Sequence, residues 1–319
     1  MASITLVTPA LADANNGNWQ TARRWAQLLG DAHRVDLRAA WRAGDPAGAL
    51  LIALHARRSA PSVAAWPADR PVVLVLTGTD LYRDIATDAS AQASLARAQV
   101  LVVLNRLGAD SLPPALRARA QVVLPGLPAH APGPRPQRWL RALAVGHLRE
   151  EKDPRTLWAA MRLLADRPDV KLDHLGRALD PALGTGAEAL AQALPTTYRW
   201  LGDRPHAEVR RRLARAHVLV HPSRMEGGAH AVIEALRSGT PVLASRIDGN
   251  LGLLGRDWPA VFEPGDATGL AAWLRCLRDT PRLWAELAAL AAQRGADFAP
   301  DHERAALHAL VARALSATL

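Results

Sequence analysis

The 319-residue sequence predicts an α/β fold made of two doubly wound domains facing a cleft. Short continuous apolar runs alternate with helical patterns in both halves, as parallel strands buried on both faces do. A proline-dense stretch lies near the middle of the chain, where a domain boundary is expected. With 49% hydrophobic and 22% charged residues, the chain can bury a sizeable core.

In the first half the strand candidates are 4–8, 50–55, 72–77 and 100–104, each rich in Val, Leu or Ile. Helical patterns cover 18–29, 59–66 and 90–98 between them. Residues 127–136 hold four prolines and no periodicity; proline fixes φ and removes a donor, so this is a linker. The pattern then restarts. Strands are expected at 142–145, 171–175, 198–201, 218–221 and 242–245, and helices at 154–165, 187–194, 206–216 and 229–238. From Asp266 onward helices dominate. The expected division is a domain over 1–127, a linker over 128–138 and a domain over 139–319, with the last helix free to pack back on the first domain.

Composition excludes several classes. Net charge is +9, and only two of the 39 cations, Lys152 and Lys171, are lysines. The arginines are spread along the chain, without the basic stripe and interleaved aromatics of a nucleic-acid surface. No apolar run approaches the ~20 residues a membrane span needs, so no stable membrane insertion is expected. Residues 1–7 carry no basic residue before their short apolar stretch and read as a first strand, not a leader. Cys276 is the single cysteine, which excludes an intrachain disulfide and a cysteine metal cluster. A cytoplasmic enzyme or binding protein is the expectation.

Residues 220–242 read as strand, glycine loop, helix, glycine stop, strand. Gly227 and Gly228 permit close backbone approach to a ligand. The helix that follows offers unpaired N–H groups and a positive dipole end, which suits phosphate. Glu226 sits in the loop and Glu234 in the helix; a carboxylate there can accept both hydroxyls of a ribose diol. Two acceptors flanking a phosphate corner match a nucleotide-sugar. A capping loop with two solvated glutamates fits the same spacing.

Residues 144–154 leave a strand and enter a helix at Pro154, with Asp153 as N-cap. Gly146, His147, Arg149 and Lys152 bring donors and cations to one strand end. Lys152 suits a diphosphate as a point charge, and Arg149 can grip it bidentately. Glu150 and Glu151 also fit a self-neutralised surface loop.

Together the two segments resemble the retaining, metal-independent glycosyltransferases of family 4, whose GT-B architecture is two facing Rossmann-like domains. The Glu-x7-Glu motif of that family fits Glu226 to Glu234, and its glycine followed six residues later by lysine fits Gly146 to Lys152. His147 stands where the family usually has arginine, which makes Arg149 the substitute diphosphate contact. Residues 262–266, Phe-Glu-Pro-Gly-Asp, look like the family's late turn.

In the first half, residues 6–10, Gly17-Asn18, 53–59 and 76–84 resemble one branch of the family, the selenosugar synthases of selenoneine biosynthesis. That resemblance implies a UDP-sugar donor, UDP-N-acetylglucosamine, and selenophosphate as acceptor, giving a carbon–selenium bond and, after loss of phosphate, a selenosugar. It implies no cofactor and no metal. Glu234 would hold the ribose, Lys152 and Arg149 the diphosphate, Gly227 and Gly228 backbone donors, and Glu226 the sugar hydroxyls. A small trianionic acceptor needs a cationic pocket. His55, Arg57, Arg58, Thr77 and Arg83 follow strand ends where one would form, and Gly17 and Asn18 could add N–H groups. Side chains alternate along an extended chain, so one of Arg57 and Arg58 would face the pocket. Thr79 and Asp80 read as caps of the next helix. Alternatives are an ordinary family 4 enzyme with a carbohydrate or lipid hydroxyl as acceptor, for which Trp19, Arg23, Arg24 and Trp25 would form a membrane-docking face, a UDP-sugar epimerase, and a basic peripheral binding module.

Overall fold

The computed structural model describes residues 1–9 and 17–316. The chain divides into two compact units. The first holds residues 1–126, 226–229 and 300–319; the second holds 127–225 and 230–299.

The first unit runs β1 (Ser3–Val7), α1 (Gly17–Gly30), β2 (Arg34–Arg38), β3 (Leu50–Leu54), α2 (Ala60–Ala65) and β4 (Val72–Leu76). A π turn at Asp80–Asp84 leads into α3 (Ile85–Thr87), then α4 (Ala89–Arg97), β5 (Val100–Val103), α5 (Pro114–Arg117) and β6 (Ala120–Val122). The strands form one parallel sheet in the order β2-β1-β3-β4-β5-β6. Its central strands are buried on both faces because alternate residues feed two cores. Ile4, Leu6, Leu50, Ile52, Val73 and Val102 face α1. Val7, Leu51, Ala53, Leu74 and Val103 face the layer of α2 and α4.

The second unit runs β7 (Leu140–Val145), α6 (Pro154–Leu163), β8 (Val170–Leu175), α7 (Pro181–Ala193), β9 (Tyr198–Gly202), α8 (His206–Arg215), β10 (Val218–His221) and α9 (His230–Arg237). It continues through β11 (Val242–Ser245), α10 (Asp248–Leu254), β12 (Val261–Phe262), α11 (Ala267–Asp279) and α12 (Pro281–Gly295). The parallel order β12-β11-β10-β7-β8-β9 is that of a dinucleotide-binding Rossmann sheet.

The last helix, α13 (Pro300–Ser316), belongs to the first unit. Leu307, Leu310 and Val311 enter the same core as α1. Glu303, 1% exposed, accepts from Arg24 Nε at 2.6 Å, Trp25 Nε1 at 2.8 Å and the Gly126 amide at 2.8 Å. Arg24 and Trp25 therefore point into the unit. This removes two of the four residues expected to form a membrane-docking face. Among the described residues no helix is long and apolar enough to cross a membrane.

Residues 123–139 form no regular element, as the prolines require. They do not hang free. The amides of His130 and Gly133 donate to Arg237 O and Ala214 O, and Arg135 Nε donates to Ala216 O while its guanidinium stacks on Trp284.

Candidate functional site

In the second unit the strand order reverses between β7 and β10, which pair directly, Leu219 with Leu143 and Val220 with Ala144. The loops after them leave side by side, at the place where open α/β sheets bind ligands. The Gly146 amide donates to Leu175 O at 2.9 Å. A Cβ at Gly146 would lie 3.3 Å from Cδ of Lys152, so the missing side chain lets the lysine stem lie across the strand end. Gly176, after β8, has φ +145°, and a Cβ there would lie 1.9 Å from Gly146 O; only glycine fits.

Lys152 closes a 3-10 turn at Glu150–Lys152, and Asp153 follows with φ +44°. Asp153 is the expected cap: it accepts from the Thr156 amide at 3.4 Å and the Thr156 hydroxyl at 2.8 Å. It also pairs with Arg224 Nε at 3.1 Å, and the Arg224 amide donates to Glu151 O at 2.8 Å. This buried carboxylate ties the two motif-bearing loops together. Arg224 lies far from Asp153 in sequence, and no local motif marks it.

The two candidate diphosphate residues that precede Lys152 are placed differently. Arg149 is extended and exposed. His147 accepts from the Arg177 amide at 3.1 Å through Nδ1. Burial holds this imidazole below its ordinary pKa, and Arg177, Arg149 and Lys152 push the same way against Asp203. A neutral ring with Nδ1 as acceptor carries its proton on Nε2, as a donor. Beneath the lysine, a small cavity is lined by Gly146, Lys152, His174, His221 and Ser223. Burial pushes His174 down to about 4, and its Nδ1 meets the Tyr198 hydroxyl at 3.1 Å.

Glu234, on α9, is 8% exposed. Its Oε1 accepts a short hydrogen bond from Nε2 of His206, the first residue of α8. The sequence placed His206 on a helix and gave it no role.

Residues 226–229 group with the first unit. Glu226 is 8% exposed. A Cβ at Gly227 would meet Thr77 O at 2.3 Å, and one at Gly228 would meet Cβ of Leu104 at 2.9 Å. The Gly227 carbonyl accepts from buried Asn105 Nδ2 at 2.9 Å. The glycine pair is thus required here by protein backbone and side chains, a reason the ligand-approach argument did not include.

The first unit's strand order reverses between β1 and β3. His55, just after β3, has φ +73° and is 2% exposed, a strained position for a non-glycine residue. Its Nε2 hydrogen-bonds Thr79 Oγ1 at 3.2 Å, and burial outweighs Asp80 in holding it below its ordinary pKa. Asp80 accepts from the amides of Ala56, Thr77 and Gly78, each at 2.9 Å. It therefore clamps the ends of β3 and β4 together, where the sequence read it as a helix cap. Thr77 Oγ1 also turns to Asp80, at 3.4 Å. Asp84, 4% exposed, pairs with Arg57 Nε at 3.1 Å and Arg83 Nε at 3.0 Å.

Residues 56–59 are a turn, so strand alternation does not sort Arg57 from Arg58; Arg57 is the one paired with Asp84. Gly17 and Asn18 open α1, in its first turn. Residues 10–16, including Ala10 of the branch resemblance, lie outside the described residues.

Residues 131–289 match the family model for glycosyl transferases group 1. That match covers just under half of the chain. Among solved structures the chain is similar to HepE from Anabaena in complex with UDP, with a TM-score of 0.77 at 16% identity over 98% of this chain and 100% of that one. It is similar to sucrose-phosphate synthase from Thermosynechococcus elongatus, with a TM-score of 0.76 at 18% identity over 99% and 100%. TarM of S. aureus, in complex with fondaparinux, α-GlcNAc-glycerol and UDP, gives a TM-score of 0.67 at 14% identity over 82% of this chain. The chain spans 55% of the length of that TarM chain. At these identities the likeness is one of fold, and the fold is GT-B. No curated protein sequence matches the chain.

Proposed function

We propose that this glycosyltransferase moves N-acetylglucosamine from its UDP ester to selenophosphate. Selenium attacks the anomeric carbon as the carbon–oxygen bond to UDP breaks, and UDP leaves with the bonding pair. Water then cleaves the selenium–phosphorus bond, releasing phosphate and the selenosugar. The observation that carries the donor half is the joined pair of loops after β7 and β10, with Lys152 over Gly146 and Asp153 bound to Arg224. HepE has been seen with UDP-glucose and pneumococcal GtfA with UDP and GlcNAc, which supports a UDP-sugar here.

The hard step is departure of UDP, because charge develops on the diphosphate. Preorganised donors act most strongly on developing charge. Lys152, Arg149 and the Nε2–H of His147 supply them in this reading, with the α9 N-terminus, and no metal is required. Glu234 accepts the ribose hydroxyls, and Glu226 holds sugar hydroxyls near the anomeric carbon. Selenophosphate is already nucleophilic, so no strong general base is needed. In the first unit Arg57, Arg83 and His55 gather around Asp84 at a strand-order reversal, which suits a small polyanionic acceptor.

The test is steady-state kinetics of Arg57→Gln. Loss of one charge-assisted contact costs roughly 1.5–3 kcal/mol, about one to two decades in acceptor kcat/KM. The expected result is a raised selenophosphate KM with UDP affinity unchanged. Turnover is expected to survive saturating EDTA; loss on chelation and rescue by magnesium would overturn the metal-free part.

A further inference from the structure

We infer that His206 is a positioning residue: it fixes the Glu234 carboxylate so that the ribose hydroxyls of the donor nucleotide are read. The inference rests on Glu234 as the ribose acceptor and adds the residue that makes it one.

Glu234 is 8% exposed, and among the described residues His206 is its one hydrogen-bond donor, acting on Oε1. Buried carboxylates ordinarily satisfy both oxygens. Among the described residues Oε2 has no protein donor, and it is not among the buried unpaired atoms, so it is open to accept from a ligand. The proton in the pair is on His206 Nε2, because a carboxylate only accepts.

The local backbone explains why the histidine stays in place. Pro205 precedes it with φ −54° and ψ 140°, and His206 opens α8. Helices α8 and α9 both belong to the second unit and pack together. The imidazole side chain is 49% exposed while the carboxylate is 9% exposed. The pair therefore sits at the edge of solvent with the acceptor on the inner side. A glutamate without this donor would sample several rotamers, and a vicinal diol would have to order it on binding. With His206 in place the second oxygen and the remaining lone pair of the first are presented in one orientation, matched to two neighbouring hydroxyls.

The experiment measures UDP and 2′-deoxy-UDP affinities by calorimetry for the wild type, His206→Ala, His206→Gln and Glu234→Ala, together with donor KM and kcat. Gln places an amide N–H near the position of Nε2. In the wild type, removing the 2′-hydroxyl is expected to weaken binding roughly tenfold. In His206→Ala, UDP binding falls by a similar factor and the deoxy penalty shrinks to about twofold, with donor KM raised and kcat nearly unchanged. His206→Gln restores most of the penalty. A full deoxy penalty in His206→Ala with a lost penalty in Glu234→Ala overturns the role of His206 and leaves the ribose reading standing. A full penalty in Glu234→Ala overturns both. An equal loss in His206→Gln and His206→Ala shows bulk packing at this position and also overturns the positioning role.

Discussion

Asp153 holds a left-handed backbone at φ +44° and a carboxylate 3% exposed, and it serves both a helix and a loop. Asn tolerates that backbone and keeps the cap, whereas Ala does neither. Asp153→Asn is therefore expected to cost about 1 kcal/mol in a urea melt, and Asp153→Ala about 2 kcal/mol or more. Both variants release Arg224 and are expected to weaken UDP binding. The capping role was legible because Asp-Pro before a helical pattern is a local signal. Arg224 and His206 were not legible. Their partners, Asp153 and Glu234, become neighbours only once β7 and β10 pair and α8 meets α9. The same limit applies to Asp84: its two arginines were singled out by charge, yet nothing in 76–84 shows that both would meet one buried carboxylate.

Strands buried on both faces were readable as elements, since Val72–Leu76 or Val218–His221 can hardly be anything else. Among the described residues three of the four edge strands, β2, β6 and β12, were not, whereas β9 was. β2 reads Arg-Val-Asp-Leu-Arg, half exposed and charged at both ends, and β6 and β12 are three and two residues long. A sheet edge needs no apolar run, so pattern reading passes over it. The fate of α13 was open in the sequence, and its anchor is Glu303. Removing one partner of a buried ion pair leaves unpaired groups inside and costs about 3–5 kcal/mol. Glu303→Ala is expected to lose that much stability by denaturant melt, because the Arg24 guanidinium, the Trp25 indole and the Gly126 amide all lose their acceptor. A loss below 1 kcal/mol would contradict the anchoring role.

Two histidines of the second unit set a direction for the stability of the whole molecule. Burial pushes His174 down to about 4, and burial followed by Arg135, Arg141 and Arg278 pushes His217 down to about 4. Between that value and about 6.5 the unfolded chain binds more protons than the folded one. Stability is therefore full above pH 6.5 and falls as pH drops towards 4, and His174→Gln is expected to flatten the fall in a pH series of thermal melts. The two-sheet architecture was legible from the alternation of apolar runs with helical patterns. The strand orders β2-β1-β3-β4-β5-β6 and β12-β11-β10-β7-β8-β9 were not, because they depend on crossovers that leave no local mark. The second order puts the motif loops after β7 and β10 side by side at a switch point. The most direct test mixes the protein with UDP-N-acetylglucosamine, with and without selenophosphate, and follows UDP release and product mass. The account predicts that UDP release depends on selenophosphate and that the released sugar contains selenium. UDP release indifferent to selenophosphate, with no selenium in any product, would contradict it.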